Sequence, residues 1–524
     1  MCSWFVEAVR IITEHVLGSW IQYLLLAITL TVYRQSLLKW KGRKQLKLPP
    51  GPRRWPIVGN LLQIGHVPHL GMQKFTQKYG PLVYIHIGMV PTVVTDDPKY
   101  VKEFLLKQDH IFASRPKNIA SEHFTFGGND IAFAPYGPHW RAVRKICLME
   151  LLTQKKIDSF RQGRNDEVEC MVKDVWRASL EGKSINMRNF FGALTSNAIT
   201  RMVLGQRFFG RKGAGPEIAA EHKAKIYESF SLINAFNVGD YLPFLRPLDL
   251  QGHERRMKEI MKWVDNLYAS IIEEQRLEFK TSSETGPLNF VHTLLEAERR
   301  DKTLSITKIK AILIDIVAAG TDTSSVTSEW TMAELLRHPE FMTRVQKEID
   351  EVVGYERHVE ESDLVNLRIL RAVVKEVFRL HPVGGFLIPH ISMKDTKVQG
   401  YDIPKNTRVL INTYSLGRNP AFWSNPNSFE PQRFLTDDKD NVDFIEPDCR
   451  IVPFGAGRRG CPGATLGMNV VLLGLARLIH LFNWSPISKE KLEDSDMVEA
   501  LGYTVKGVPL EAIAKPRLGS LLFQ

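Results

Sequence analysis

The stretch Phe454-Gly-Ala-Gly-Arg-Arg-Gly-Cys461-Pro-Gly463 is the part of the sequence that decides the fold class. It places one cysteine among glycines, directly after two arginines and before a long apolar segment with helical spacing. Nearby positive charge and a helix N-terminus both favour a thiolate, and glycines let the backbone approach a flat ligand closely. A lone cysteine in such a turn is ordinarily a buried structural residue. The combination of glycines, arginines and cysteine instead favours a thiolate that ligates a metal, which makes Cys461 the predicted ligand.

A second informative segment runs from Ile309 to Arg337 and is the longest helical pattern in the chain. Apolar residues recur along one face of this helix until the run Ala318-Ala-Gly-Thr-Asp-Thr-Ser324 interrupts them. Small side chains leave room beside a ligand, while glycine and hydroxyl residues permit a local bend. A glycine-tolerant helix with exposed Ser and Thr would give the same pattern, so this run alone assigns no function.

These two segments resemble motifs of the cytochrome P450 family. The order Phe-x-x-Gly-x-Arg-x-Cys-x-Gly is similar to the family's haem-binding loop, and the polar run is similar to the oxygen-activation segment of its central helix. The resemblance implies a mainly α fold with a small β region. It implies haem b as the cofactor, with the Cys461 thiolate as the axial ligand of iron. It also implies that Asp322 and Thr323 are catalytic, because they would organise hydrogen bonds and water for proton delivery.

Further cofactor-binding residues follow from the segment Pro138-His-Trp140-Arg-Ala-Val-Arg144. Proline at a helix start and the spacing of four place Trp140 and Arg144 on one helix face. The ordinary interpretation of such a cationic stripe is a solvated surface. The family resemblance implies instead that both residues bind a haem propionate, a contact that suits arginine. Arg459 and His390 would complete the propionate site.

A structural motif is predicted at Glu376 and Arg379, one turn apart on an apolar helix. An ion pair at this spacing is usually a surface feature worth a few tenths of a kcal/mol. The pair resembles the family's Glu-x-x-Arg motif, which is locked to the arginine of Phe429-Glu-Pro-Gln-Arg-Phe434. Gln432 stands where the family often has an acid, but Arg433 is kept. These residues are expected to have a structural role behind the haem.

Composition limits the partners and the compartment. The 524 residues, 44% of them hydrophobic, suffice for a large core. Five cysteines without paired spacing argue for a reducing compartment. The formal charge of +11 suits a membrane surface or an acidic partner, because no nucleic-acid motif accompanies it. Basic residues such as Arg141, Lys145 and Arg458 are predicted to form a positive face for an acidic electron donor, NADPH–cytochrome P450 reductase.

The N-terminus predicts a membrane anchor. Residues Val16 to Tyr33 are an uncharged run of 18 residues, just long enough to span a bilayer, and basic residues follow it closely. By the positive-inside rule the bulk of the chain is cytosolic and residues 1–33 form a lumenal N-terminus and transmembrane helix. The prediction is a single-pass protein of the endoplasmic reticulum membrane. The surface around Tyr241-Leu-Pro-Phe-Leu245 is expected near the membrane by family resemblance.

The remaining organisation is simple. Residues 34–56 are a basic linker with a proline-rich hinge, and residues 57–524 are predicted to form one haem-thiolate monooxygenase domain. Short strands are predicted at Leu82–Ile87 and Thr92–Thr95, with further strands near 383–412 and 500–513. The rest of the domain is predicted to be mostly helical.

For the substrate, the sequence resembles plant microsomal monooxygenases. The stretches Phe386-Leu-Ile-Pro-His390, Thr327-Ser-Glu-Trp330 and Ala512-Ile-Ala-Lys-Pro-Arg517 are most similar to the in-chain fatty-acid hydroxylases of pollen and spore walls, which act on medium-chain acids for sporopollenin precursors. An apolar pocket for an alkyl chain is predicted from six residues: Phe124, Phe126, Ile131, Phe133, Val383 and Phe386. Apolar lining is also what any core supplies.

Three alternatives stay open. The first is an aromatic 3'-hydroxylase that acts on flavonoids or coumaroyl esters and has similar motifs. The second is a haem-thiolate isomerase or dehydratase, which needs no electron donor and therefore no proton relay such as Asp322 and Thr323. The third is a non-catalytic haem sensor, against which the complete relay and the membrane anchor both argue.

Overall fold

The computed structural model describes residues 46–209, 215–281, 289–300, 304–435, 444, 448–487, 492–500, 505–519 and 522. The predicted transmembrane segment Val16–Tyr33 and most of the basic linker lie outside the described residues. Residues 46–48 and 399–402 form a small unit of their own, in which the Lys47 N–H donates to the Asp402 carboxylate at 2.8 Å. All other described residues belong to one large unit.

The large unit is mainly helical, as predicted. Its α-helices are α1 (Leu61–Ile64), α2 (Pro68–Tyr79), α3 (Pro98–Lys102), α4 (Asp109–Phe112), α5 (Ile119–Phe124), α6 (Pro138–Glu150), α7 (Gln154–Ser159), α8 (Arg161–Leu180), α9 (Met187–Leu204), α10 (Pro216–Asn234), α11 (Val238–Tyr241), α12 (His253–Thr281), α13 (Phe290–Arg300), α14 (Ile306–Arg337), α15 (Pro339–Val353), α16 (Arg368–Leu380), α17 (Thr413–Leu416) and α18 (Ala464–Leu481). A π turn follows α3 at Glu103–Lys107, and 3-10 turns lie at Pro243–Leu248, Pro431–Phe434, Gly457–Arg459 and Asp494–Met497.

The strands are short and are distributed along the chain between the helices. They are β1 (Leu82–Ile87), β2 (Val90–Thr95), β3 (Ile185–Asn186), β4 (His390–Ile391), β5 (Thr396–Val398), β6 (Tyr401–Ile403), β7 (Arg408–Ile411), β8 (Phe482–Pro486) and β9 (Glu511–Pro516). One sheet has the order β1-β2-β7-β4, and a second has the order β3-β9-β8. In the first sheet β1 and β2 are an antiparallel hairpin, while β2 and β7 run parallel. The predicted first strand is confirmed with its bounds, whereas β8 was not predicted.

Helix α14, hereafter the central helix, joins two apolar cores. Its N-terminal half contributes Ile309 and Val317 to one core, and its C-terminal half contributes Val326 and Trp330 to the other. The polar run 318–324 lies between these two groups of core residues. The helix ends at Arg337, because Pro339 disfavours helical geometry in His338, the residue that precedes it. The change from apolar to polar residues therefore occurs where the two cores meet.

Helix α18, which follows Cys461, is the most apolar long helix among the described residues. It has the length and hydropathy of a membrane span, with a mean hydropathy of 1.6, but 78% of the segment is buried inside the protein. It packs against the central helix and α15 and belongs to the core. The long apolar pattern after the cysteine loop therefore reflects a core helix.

Candidate functional site

The site is built around Cys461, which lies between a 3-10 turn and the start of α18. Its N–H donates to the Phe454 carbonyl at 2.7 Å, which closes the loop. The side chain is accessible, although protein surrounds it on most sides. The thiol is therefore largely enclosed by protein but open to a ligand on one side.

Glycine is required at Gly457 in this loop. Its φ of +63° lies in the left-handed region, and a Cβ there would be 1.9 Å from the Leu105 carbonyl oxygen. The loop therefore rests directly on the backbone of the π turn. Gly457 thus allows close approach to the protein's own backbone, while the predicted approach of the loop glycines to a flat ligand stays a prediction.

The ionisation of the free thiol differs from the prediction. Burial raises the pKa of Cys461 above its ordinary value, while the Gly463 amide and Arg144 lower it by smaller amounts. The loop's positive groups act in the predicted direction, and burial outweighs them in the free thiol. A bound metal ion would favour the thiolate directly, so the assignment of Cys461 as a metal ligand stays a prediction.

Trp140, Arg144 and Arg459 lie together beside this loop, as predicted. The Arg459 guanidinium lies 4.2 Å from the centroid of the Trp140 ring, and the Arg144 guanidinium lies 5.5 Å from the same centroid. The Trp140 indole N–H donates to the Ile131 carbonyl at 3.0 Å, and Arg144 donates to the Gly460 carbonyl at 2.8 Å. The donors of this cluster thus end on neutral carbonyl groups.

His390 joins the same cluster from strand β4. Its Nδ1 lies 2.8 Å from the Phe112 carbonyl oxygen, so this nitrogen carries the proton. Burial, and then the positive charges of Arg115 and Arg459, hold the pKa of His390 well below its ordinary value. His390 is therefore neutral, and because its one N–H is directed at Phe112, its Nε2 can only accept a hydrogen bond, so in this arrangement it supplies neither a charge nor a donor to an anion.

Arg115 is a member of the cluster that sequence reasoning missed. It is buried and donates to the Ile388 carbonyl at 2.6 Å and to the Ala132 carbonyl at 3.1 Å. Burial and repulsion by Arg459 lower its pKa to about 9. A single arginine before Pro116 carries no periodic signal, and only the fold brings it to this place.

The cluster fits the carboxylates of a haem. Arg115, Arg144 and Arg459 make no ion pair with a carboxylate within 4 Å anywhere in the described part of the chain. Burial lowers the pKa of all three, to about 10 for Arg459. The nearest acid, Asp130, has a raised pKa because of burial and the proximity of Asp315, so it compensates this charge poorly. Two propionates next to Cys461 would supply the missing negative charge.

Asp322 and Thr323 occupy the polar run of the central helix. The Thr323 hydroxyl donates to the Ala319 carbonyl one turn earlier at 2.7 Å. Asp322 lines a cavity of about 50 Å³ together with Arg188, Lys223, His222 and hydroxyl residues. Its charge acts on Lys223, opposing the lowering of the lysine pKa by burial and by Arg188. The cavity is lined by apolar side chains as well as by these polar groups, and it is large enough for water.

Gly320 in this run has a packing function. A Cβ at this position would lie 2.8 Å from Cγ1 of Ile199 on α9, so glycine allows the two helices to approach. The Thr195 hydroxyl on α9 also donates to the Thr321 carbonyl at 2.7 Å. The space that was expected beside a ligand is filled at Gly320 by Ile199.

The Glu376 motif is buried and fully paired. Arg379 makes two hydrogen bonds to the Glu376 carboxylate, at 2.6 and 2.7 Å, and both side chains are 0% exposed. Arg433 reaches the same carboxylate at 3.1 Å. The predicted triad is therefore confirmed as an arrangement, and Arg379 also donates to the carbonyls of Gly417, Pro426 and Ser428.

Five of the six predicted pocket residues pack in three different apolar groups, so the predicted pocket stays a prediction. Phe124, Phe126 and Ile131 pack in one apolar core, Val383 packs against the other, and Phe386 packs beside the first sheet. Of the residues predicted to form a basic face, Arg141 and Lys145 are exposed. The charge of Arg458 is partly compensated, because Arg458 forms an ion pair with Asp109.

An accessible cysteine flanked by buried and half-buried arginines that make no ion pair within the described part of the chain fits a haem-thiolate site. The chain belongs to the cytochrome P450 family, whose model matches residues 49–511. It is therefore a haem-dependent monooxygenase, an oxidoreductase that depends on a P450 reductase. The prediction of the family, the cofactor and the reaction class is confirmed.

Curated relatives cover nearly the whole chain. Cytochrome P450 703A2 of Arabidopsis thaliana is 44% identical over 95% of this chain and 98% of its own length. Cytochrome P450 703A2 of rice (Oryza sativa subsp. japonica) is also 44% identical, over 94% of this chain and 97% of its own length. The flavonoid 3'-monooxygenase of Petunia hybrida is 40% identical over 91% of this chain and 94% of its own length.

Proposed function

We propose that this enzyme hydroxylates a medium-chain fatty acid at an internal carbon, with O₂ and electrons from NADPH–cytochrome P450 reductase. The observation that carries the haem-dependent part is a group of arginines beside the accessible Cys461, with Arg115 buried, Arg144 and Arg459 half-buried, and none of them paired with a carboxylate among the described residues. Cys461 is the axial ligand in this proposal. Trp140, Arg144 and Arg459 bind the propionates, and neutral His390 lies beside them with its N–H directed at the Phe112 carbonyl.

The chemistry that haem supplies when bound is the reductive activation of dioxygen for insertion into a C–H bond. The chain's own contribution is to move protons and to hold the substrate. Asp322 takes protons from water in the cavity beside Lys223 and passes them along the central helix. The Thr323 hydroxyl, which now donates to Ala319, holds the last water of this path.

The relay is tested by Thr323→Ala and Asp322→Asn in the reconstituted system. Thr323→Ala is expected to leave the substrate-induced spin shift intact while the ratio of product to NADPH consumed falls. Asp322→Asn is expected to slow turnover itself, because it removes an acid from the proton path. Thr327→Val is a matched control on the same helix, since that hydroxyl bonds the Thr323 carbonyl and is buried. Wild-type coupling in both relay variants would remove these residues from the mechanism.

The fatty-acid substrate is supported by the sequence resemblance described above. The relatives named cytochrome P450 703A2 are 44% identical, against 40% for the flavonoid 3'-monooxygenase. Hydroxylation of a flavonoid at its 3' position is the second candidate function, because relatives with that printed name match over nine-tenths of the chain. The two candidates differ in how binding depends on substrate structure.

An alkyl substrate buries methylenes at about 0.8 kcal/mol each, so affinity rises with chain length until the site is full. A phenolic substrate binds through one or two ring hydroxyls that meet polar partners. Saturated acids from short to long chain, tested beside flavonoids and coumaroyl esters, separate the candidates through the low-to-high-spin shift. An acid near lauric acid is expected to give the largest shift and an in-chain alcohol. Turnover of a phenolic without any shift by the acids would replace the first candidate with the second.

Product formation without NADPH and reductase would favour an isomerase or dehydratase, which the same assay detects. Omission of NADPH is expected to abolish product, because C–H hydroxylation needs two electrons from outside the protein. An isomerase needs none. A haem sensor would form no product in either arm.

The proposed location is the endoplasmic reticulum membrane, with residues 1–33 as lumenal N-terminus and single anchor and the domain from residue 57 in the cytosol. The 236–250 region supports a second contact with the bilayer, since Phe244, Leu248 and Leu250 are about 60% exposed. Removal of residues 1–47 is expected to release most of the protein while haem remains bound. Protease added to sealed microsomes should digest the domain, and protection beyond Pro49 would contradict the orientation.

A further inference from the structure

We propose that Asp315 on the central helix is a positioning residue that fixes the 130–133 loop and thereby determines which substrate carbon is oxidised. The 130–133 loop consists of Asp130, Ile131, Ala132 and Phe133, between α5 and α6. This inference rests on the proposed function, because it assumes a substrate that can be oxidised at more than one carbon.

The loop is attached to the central helix through one carboxylate oxygen. The N–H groups of Ile131 and Ala132 donate to Oδ2 of Asp315 at 3.1 and 3.0 Å. The Phe133 N–H donates to Asp130 at 2.8 Å, which closes a turn within the loop. Three successive backbone N–H groups are thus held by two carboxylates, so the backbone of the loop has little freedom to move relative to the central helix.

The carbonyl groups of the same loop point to the cationic cluster. The Ile131 carbonyl accepts from the Trp140 indole at 3.0 Å and from Arg459 at 3.2 Å. The Ala132 carbonyl accepts from Arg115 at 3.1 Å. The loop therefore connects the central helix on its N–H side with the proposed propionate site on its carbonyl side.

The position of Asp315 explains why this connection reaches the substrate. Asp315 lies two turns before Asp322 and Thr323 on the central helix. Ile131 and Phe133 carry bulky apolar side chains on the loop it holds; Ile131 packs in the core beside the N-terminal half of that helix, and Phe133 is half-buried. A shift of the loop by a fraction of an ångström would move these side chains relative to the proposed haem. The position of an alkyl chain against the reactive centre would move with them.

A second carboxyl, that of Asp130, lies beside the attachment. Burial raises the pKa of Asp130, and the nearby charge of Asp315 raises it further. Asp130 Oδ1 is buried without a hydrogen-bond partner among the described residues. Two neighbouring carboxyls that face Arg115 and Arg459 at one end and loop N–H groups at the other are unusual in a core. Burial also raises the pKa of Asp315, to about 6, and the two loop N–H donors oppose that rise. What the loop requires at this position is therefore an oxygen acceptor.

The test compares Asp315→Asn with Asp315→Leu in the full-length, haem-loaded enzyme. Asparagine keeps an oxygen acceptor for the loop, whereas leucine has a similar volume and accepts nothing. The ratio of in-chain products is expected to change by about fivefold in Asp315→Leu, with a similar loss of affinity in the spin-shift titration. Asp315→Asn is expected to restore both to near the wild-type values.

The matched control is Glu348 on α15, whose carboxylate also accepts two backbone N–H groups, those of Ile369 and Leu370, at 2.6 and 3.0 Å. Glu348→Met should lower the thermal midpoint as much as Asp315→Leu but leave the product ratio unchanged. If Asp315→Leu lowers the midpoint and keeps the wild-type ratio and affinity, Asp315 is merely structural and the proposal is wrong. If Asp315→Leu yields no haem protein, Asp315→Ser, which is too short to reach the loop, carries the same comparison. If the fatty-acid assignment is wrong, the wild-type enzyme will not hydroxylate the acids. The product ratio is then measured for hydroxylation at the different ring positions of the phenolic substrate that the wild type converts.

Discussion

Two groups of buried arginines in this protein differ in what they contact. Arg379 and Arg433 share the Glu376 carboxylate, at 2.6 to 3.1 Å, in a site that is 0% exposed at its centre. Arg115, Arg144 and Arg459 donate instead to backbone carbonyls, and burial lowers their pKa values. The first group is complete as the chain folds. The second group carries uncompensated positive charge beside Cys461. This uncompensated charge distinguishes a binding site for an anion from a structural ion network.

The largest expected effect tests the ligand itself. Cys461→Ser is expected to abolish the Soret band that is characteristic of thiolate-ligated haem in the reduced carbon-monoxide complex. The other cysteines serve as controls, since Cys147 and Cys449 are buried and burial raises the pKa of Cys147 to about 12. Single replacement of each by alanine or serine should leave the band. Retention of the band at wild-type intensity in Cys461→Ser would exclude this cysteine as the ligand.

The second-largest expected effect tests the group in which Arg379 and Arg433 are paired with Glu376. Glu376→Gln removes the charge that pairs with Arg379 and Arg433 and leaves both cations buried, which costs about 3–5 kcal/mol of folding free energy. The variant is expected to express poorly or to unfold at much lower denaturant concentration, with or without haem. Asp174→Asn is the control, because its ion pair with Arg177 is exposed and worth less than about 1 kcal/mol. Normal stability of Glu376→Gln would remove the distinction between the two groups.

Arg459→Gln tests the group of Arg115, Arg144 and Arg459, and it should affect haem binding more than the stability of the apoprotein. The apoprotein loses a buried cation that Arg115 and Arg144 repel, so its stability should change by less than that of Glu376→Gln. The holoprotein loses a propionate partner, so the rate of haem transfer to an acceptor protein is expected to rise by about tenfold or more, the equivalent of one charge-assisted hydrogen bond. Equal loss of stability in the apo and holo forms would make Arg459 a structural residue like Arg379.

The sequence predicted most of the fold because its signals were local. The apolar face of Ile309–Val317 and the period-2 run Leu82–Ile87 each specify one element, and the structure has both. The loop around Cys461 and the Glu376 motif were found because their residues are close in sequence. Arg115 and Asp315 could not be found this way, since their partners lie 17 and about 184 residues away. The net effect of burial on the Cys461 thiol was missed for the same reason, because burial depends on packing from the whole domain.

The smallest expected effect concerns the acid nearest the incomplete group. Burial, and then the charge of Asp315, raise the pKa of Asp130 above that of an unfolded aspartate. The folded protein therefore keeps a proton on this carboxyl that the unfolded chain releases, so the stability from Asp130 is present at low pH and is lost as pH rises through the raised pKa. The contribution is at most about 1.4 kcal/mol per pH unit.

The thermal midpoint of the holoprotein is measured from pH 6 to pH 9 in wild type and in Asp130→Asn, which cannot titrate. The difference between the two should grow in favour of Asp130→Asn as pH rises, whereas the exposed Asp174→Asn should track wild type throughout. A difference that is constant with pH would show that Asp130 is ionised across this range, and that Arg115 and Arg459 already have a full counter-charge.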